Sequence, residues 1–229
     1  MKPRIVIATS RDWVPGLAER VAARCGAVTR HITAPEQLTA EALKAFAPDW
    51  VFFPHWSHRI PASVFDTFTC VIFHMTDVPF GRGGSPLQNL LVRGVQDTQM
   101  TALRCEAGLD TGPVYLKRPL SLAGRAEEIY IRGTHLIEDM IAEIVATRPT
   151  PMPQTGEAVA FARRRPHESE MAQVTSIDAA YDFIRMLDAP GYPAAFIETE
   201  FLRFEFSHAS LQGESLTAQV RVVPKPKGS

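Results

Sequence analysis

Apolar and polar positions fall into blocks along the first half of the chain, and the blocks switch between two periods. Residues 4–9 hold the short apolar run Ile5-Val6-Ile7-Ala8, of strand length. Over 14–25, Val14, Leu17, Val21 and Ala22 recur at helical spacing, the stripe of an amphipathic helix. A weaker strand signal follows at Val28–Ile32, and Ala40–Phe46 puts Ala42, Leu43 and Phe46 on one helical face. Trp50–Phe53 is aromatic and β-branched, and Cys70–His74 is another buried-strand signal. This β-α-β-α-β order predicts an α/β fold: a Rossmann-like, mostly parallel sheet with helices on both faces.

The longest helical pattern spans 127–147, with Ile129, Ile137, Met140, Ile141, Ile144 and Val145 on its apolar face. Arg148-Pro149-Thr150-Pro151-Met152-Pro153 ends it, because proline has no N–H to give and its ring clashes with the preceding turn. The break predicts a larger domain, 1–150, and a small C-terminal α+β subdomain, 151–229. In the latter a helix is expected near 177–187 and strands near 196–206 and 217–223. The end, 224–229, reads as a loose tail.

Composition narrows the function. With 229 residues, 45% of them hydrophobic, the chain is an ordinary globular protein. No apolar run approaches ~18 residues, so no membrane partner is expected. Lys+Arg 24 against Asp+Glu 25 leaves a net charge of −1, without the basic footprint of a nucleic-acid binder. Cys25, Cys70 and Cys105 are odd in number and widely spaced, which fits a reducing cytoplasm and small buried residues rather than a disulfide framework. No metal site is expected: His31, His55, His58, His135, His167 and His208 lack ligand spacing. No G-x-G-x-x-G follows Thr9, which removes the main support for a nicotinamide or flavin site, and no P-loop is present.

Open α/β sheets bind ligands beyond the carboxyl ends of their strands. Cys70–His74 ends on a histidine and runs into a shaped loop with three glycines and two prolines, Met75-Thr76-Asp77-Val78-Pro79-Phe80-Gly81-Arg82-Gly83-Gly84-Ser85-Pro86. Ser85 is placed to cap the next helix, with Leu87, Leu90 and Leu91 facing the core. On composition alone, a mere connection with a satisfied core histidine is as good a reading as a catalytic loop.

His74, Pro79, Arg82, Gly83 and Pro86 form the order H-x4-P-x2-R-G-x2-P. Gly108-Leu109-Asp110-Thr111-Gly112 follows, with Asp110 36 positions beyond His74. Together they resemble the signature and the G-x-D-x-G motif of the formyltetrahydrofolate-dependent formyltransferases, a family with tRNA, glycinamide ribonucleotide and sugar branches. Thr98-Gln99-Met100-Thr101 and Ser57-His58-Arg59-Ile60-Pro61 resemble two further family segments. The loop sequence resembles the sugar N-formyltransferase branch acting in pseudaminic acid pathways. Phe183-Ile184-Arg185-Met186-Leu187 with Pro190-Gly191-Tyr192-Pro193 resembles that branch's acceptor-side segment.

The resemblance implies a catalytic domain at 1–150 and a C-terminal subdomain at 151–229 with acceptor-side and dimer contacts. It implies His74 and Asp110 as catalytic residues, and 10-formyltetrahydrofolate as co-substrate held by Val78, Pro79, Phe80, Gly81, Arg82, Gly83 and Asp110. Thr76, Asp77 and Tyr192 are implied on the acceptor side, with an amino sugar as acceptor and a homodimer as the assembly. The short C-terminal remainder and the neutral charge argue against the tRNA branch. The sequence departs from the family at Ile72, where an asparagine amide is expected to donate to the oxyanion; His55, Thr76 and Ser57 are candidates to replace it. A non-catalytic folate- or sugar-binding relative, or an enzyme with another acceptor, is the alternative.

Overall fold

The computed structural model of the chain describes residues 1–226. The first part runs β1 (Arg4–Ala8), α1 (Leu17–Cys25), β2 (Val28–Ile32), α2 (Ala40–Phe46), β3 (Trp50–Phe53), α3 (Ala62–Phe65) and β4 (Cys70–His74). Then come β5 (Phe80–Gly83), α4 (Pro86–Leu91), β6 (Asp97–Arg104), β7 (Val114–Ser121) and α5 (Ala126–Thr147). The chain continues through β8 (Val159–Phe161), α6 (Ile177–Arg185), β9 (Ala195–Glu198), β10 (Leu202–Gln212) and β11 (Ser215–Pro224).

The main sheet has the order β2-β1-β3-β4-β6-β7. β1 lies parallel to β2 and to β3, and β3 parallel to β4, as the chain order predicts. β6 runs antiparallel to β4 and sets Thr101 opposite His74 and Leu103 opposite Ile72, so the sheet is mixed. Ile5, Val6, Ile7 and Ala8 are all fully buried, which requires cover on both faces. On one face Val6, Ala8, Val51, Phe53 and Cys70 pack with Leu38, Leu43 and Val64. Elsewhere, Arg20 Nε donates to Glu138 Oε2 at 2.8 Å and ties α1 to α5.

Two compact units interleave in sequence. The first comprises Met1–Gly83, Thr98–Leu120 and Ile131–Ala160; the second comprises Gly84–Asp97, Ser121–Tyr130 and the chain from Phe161 onward. The second unit therefore takes in segments well ahead of residue 151, and its hydrogen bonds show why. Gln88 Nε2 donates to the Met186 carbonyl at 3.0 Å. Buried Arg185 donates to the carbonyls of Leu122 and Gly124 while its Nε meets Asp182 Oδ1 at 2.6 Å. This unit's own sheet has the order β11-β10-β9, antiparallel throughout.

Three local expectations change. Helix α1 starts at Leu17 rather than 14, because Pro15 and Gly16 (φ +84°) hold a turn ahead of it. Ser85 sits at the start of α4 with φ +49° and makes no cap; its hydroxyl accepts the Arg164 N–H at 3.1 Å. Pro224 belongs to β11 opposite Leu202, and the Lys225 N–H donates to the Phe201 carbonyl, so the tail is tied down to that point. Residues 227–229 of the expected tail lie outside the described residues. Among the described residues no helix is long and apolar enough to cross a membrane, and no group of three metal-ligating side chains occurs. Burial pushes the Cys105 thiol up to about 11 and the Cys70 thiol upward as well, which marks both as packing residues.

Candidate active site

β4 carries His74 to the carboxyl edge of the sheet, where it is buried. His74 Nε2 lies 2.8 Å from the Gly81 carbonyl. A carbonyl only accepts, so Nε2 carries a hydrogen there. On the other side, Nδ1 stands 3.5 Å from Asp110 Oδ2. Asp110 is buried, sits between β6 and β7, and has φ +53°. Its Oδ2 accepts the Gly83 N–H at 2.9 Å, so the carboxylate faces both the histidine and the loop after β4. A non-glycine residue held in the left-handed region costs energy and persists where surrounding structure fixes it.

Much of that fixing comes from Gly112 and Gln154. A Cβ on Gly112 would lie 1.9 Å from the Arg104 carbonyl oxygen, so the second glycine of the motif is required by backbone contact. Gln154 Nε2 donates to the carbonyls of Asp110 and Gly112, both at 2.8 Å. Its Oε1 accepts Arg82 Nε at 3.0 Å and Nη2 at 2.7 Å. One amide thus joins the arginine of the first motif to the turn of the second. Sequence reading missed Gln154: it stands alone in a proline-rich stretch and no pattern marks it.

The loop itself is held from within. Gly81 (φ +78°) and Gly83 (φ +110°) take conformations that favour glycine, and the Val78–Pro79 peptide is cis. Lys117, also missed, donates from Nζ to the Val78 carbonyl at 2.6 Å and meets Asp77 Oδ1 at 2.5 Å. The Thr76 hydroxyl donates to the Gly81 carbonyl at 3.3 Å, while its own carbonyl accepts from the Thr101 hydroxyl at 2.7 Å. Thr76 is fully buried, so it braces the loop. Phe80 remains exposed, and Pro79 is buried. The structure therefore gathers His74, Thr76, Asp77, Val78, Pro79, Phe80, Gly81, Arg82, Gly83 and Asp110 in the first unit. Tyr192 lies in the second, where its hydroxyl donates to the Tyr130 hydroxyl at 2.8 Å and the two rings stack.

Ile72 is half-buried on β4 and packs on the apolar cluster beneath the sheet. Of the candidates to replace an asparagine there, His55 has its Nε2 2.8 Å from the Thr134 hydroxyl, and burial lowers its pKa to about 4. Ser57 is exposed and its N–H donates to the Ser10 hydroxyl.

The fold is a Rossmann-like α/β sheet that carries a histidine–carboxylate pair at its carboxyl edge, where such sheets hold their ligands. Residues 166–223 match the family model described as the methionyl-tRNA formyltransferase C-terminal domain. A methionyl-tRNA formyltransferase from Clostridium thermocellum is 44% identical, with a TM-score of 0.94 over 97% of this chain and 99% of that one. The chain belongs to the methionyl-tRNA formyltransferase-like formyltransferase family. The methionyl-tRNA formyltransferase of Halorhodospira halophila is 31% identical over 165 residues, covering 67% of this chain and 52% of that protein. The chain thus spans about half the length of that curated relative. A sugar N-formyltransferase from Shewanella sp FDAARGOS_354 shares the fold, with a TM-score of 0.68 at 10% identity over 95% of this chain and 96% of that one.

These matches correct one expectation. A chain that this one matches almost end to end is named a methionyl-tRNA formyltransferase, and the C-terminal stretch itself matches that family's C-terminal domain. Chain length therefore does not separate the tRNA branch from the sugar branch.

Proposed function

We propose that this chain is an N-formyltransferase that moves a formyl group from 10-formyltetrahydrofolate to the amino group of a nucleotide-linked amino sugar, of the pseudaminic acid type. The observation that favours a small-molecule acceptor is charge. Residues 166–223, the part similar to the tRNA enzymes' C-terminal domain, hold three arginines against nine carboxylates, a net of −6. Each of those arginines meets a carboxylate of the same stretch: Arg185 with Asp182, Arg203 with Glu198, Arg221 with Glu205. RNA binding needs several cations free to meet phosphates. Arg163-Arg164-Arg165, just ahead of the stretch, is short enough to suit the phosphates of a nucleotide-linked sugar.

The folate supplies the formyl carbon. The loop Val78–Gly83 suits such a donor: its two glycines allow close backbone approach, and the exposed Phe80 ring offers a flat apolar face. In transfer, the acceptor nitrogen gains a bond to the formyl carbon, the bond from that carbon to N10 breaks, and one proton passes from acceptor nitrogen to N10. His74 shuttles that proton or turns its Nε2–H from the Gly81 carbonyl to the formyl oxygen as charge develops there. Asp110 orients the ring through Nδ1 and assists the proton's removal from the amine. Asp77, at the start of the loop after β4, is assigned to the acceptor.

A second reading, a non-catalytic folate- or sugar-binding relative, is favoured by Ile72. Tetrahydrofolate release, followed with a panel of nucleotide-linked amino sugars and with methionyl-tRNA, tests both. Release with an amino sugar is expected. Release only with methionyl-tRNA would replace the acceptor, and saturable folate binding without any release would favour the second reading.

A further inference from the structure

We propose that the indole N–H of Trp56 supplies the oxyanion hydrogen bond that Ile72 cannot make; the proposal rests on the formyl-transfer reading above. Among the described residues, Trp56 Nε1 is the one buried side-chain nitrogen or oxygen without a hydrogen-bond partner. A buried donor left unmet is costly, and folded proteins rarely keep one without a reason. The position of this one supplies the reason.

Trp56 follows β3 by three residues. The last residue of that strand, Phe53, is the Cα partner of Ile72 on β4, and the Phe53 and Trp56 rings meet edge to face at 6.0 Å. Trp56 and Ile72 pack on the same apolar cluster, so the indole lies on the sheet face that Ile72 shares with His74, two residues further along β4. His58 meets the indole edge to face at 5.2 Å and steadies its plane. An asparagine at position 72 would reach the reacting centre from β4. A longer side chain can reach the same region from the neighbouring strand end, and indole, like a carboxamide, is a neutral donor.

The other candidates are engaged or exposed. The Thr76 hydroxyl is given to Gly81, His55 Nε2 is joined to Thr134, and Ser57 is exposed. Trp56 alone pairs burial with an unmet N–H. An acceptor oxygen carrying developing charge would be its missing partner once the bound formyl group displaces the atoms that cover the N–H.

The test uses the full chain, ¹⁵N-labelled, and two stable probes, 10-formyl-5,8-dideazafolate and the same molecule without its formyl group. The three tryptophan indole resonances are followed, with Trp56→Phe assigning one of them. The expected result is a downfield shift of the Trp56 N–H with the formylated probe and little shift with the deformylated one. In turnover, Trp56→Phe keeps the ring packing and the melting temperature but lowers kcat by ~10²-fold or more, the usual loss for one oxyanion donor, with KM for the folate within a few-fold. Adding Ile72→Asn to Trp56→Phe restores much of that loss. Equal shifts with the two probes, or a Trp56→Phe enzyme as fast as the parent, would overturn the role of Trp56 and leave formyl transfer standing. Absence of any folate-induced shift at any resonance would overturn the folate reading and this proposal with it.

Discussion

His74 is engaged at both ring nitrogens, by the Gly81 carbonyl and by Asp110. Replacing it with asparagine removes the proposed proton shuttle and leaves the loop glycines in place. His74→Asn is expected to lower formyl transfer by at least ~10²-fold while folate affinity stays within a few-fold. Steady-state rates and a folate titration check it, and a fully active variant would end the assignment of His74. His55 gives a different prediction. Burial lowers its folded-state pKa to about 4, from the ordinary histidine value of 6.5. Between those values the unfolded chain binds a proton that the folded ring refuses, so stability falls as pH drops through that window and levels off below it. The residue keeps some contact with solvent, which reduces the full effect to roughly 2 kcal/mol. His55→Gln should therefore lose less melting temperature than the parent between pH 7 and 4.5. Parallel curves would show that His55 carries no such penalty. At this scale the sequence was only partly legible. His74 and Asp110 stood in motifs with fixed spacing. Gln154 and Lys117 matter through distant partners, and no local pattern records a hydrogen bond between residues 44 positions apart.

Among the elements, the turn between β6 and β7 is the most constrained part of the site. A methyl group on Gly112 cannot fit 1.9 Å from a backbone oxygen, so that turn must move if it is added. Gly112→Ala is expected to cost about 2–4 kcal/mol of stability and to lower kcat by displacing Asp110. Thermal unfolding and kinetics on the same preparation check both effects; a variant that melts and turns over like the parent would show that the turn adapts freely. Strands β1, β3 and β4 and helices α2 and α5 were legible because a single period fills each one. β5 and β8 were not, since their residues read as loop chemistry: Phe80-Gly81-Arg82-Gly83 has no alternation to detect. The cap expected of Ser85 failed because the residue adopts a left-handed conformation and its hydroxyl oxygen accepts from the Arg164 N–H.

For the whole molecule, the charge balance of the C-terminal stretch makes the sharpest prediction. With its three arginines paired to carboxylates, residues 166–223 have little to offer a phosphate backbone. In a band-shift titration at moderate salt, transfer RNA should not retard the protein below about 10⁻⁶ M, the tight end of ordinary nonspecific affinity. Tight, salt-dependent retardation would return the tRNA branch to the front. The fold class was legible from the order of the elements. The division into two units was not, because segments 84–97 and 121–130 join the second unit through bonds such as Gln88 to Met186. Chain order alone does not encode that pairing.

The Gln154 amide has an evolutionary consequence. Its oxygen is committed to Arg82 and its nitrogen to the backbone of Asp110 and Gly112, so neither end can change without disturbing a different motif. A switch to glutamate would turn the donor that holds two carbonyls into an acceptor facing them. Lineages that lose the arginine at position 82 are therefore expected to lose the glutamine at 154 in the same step, and those that keep one to keep both. The two motifs, separate in the chain, are expected to drift as a single heritable character.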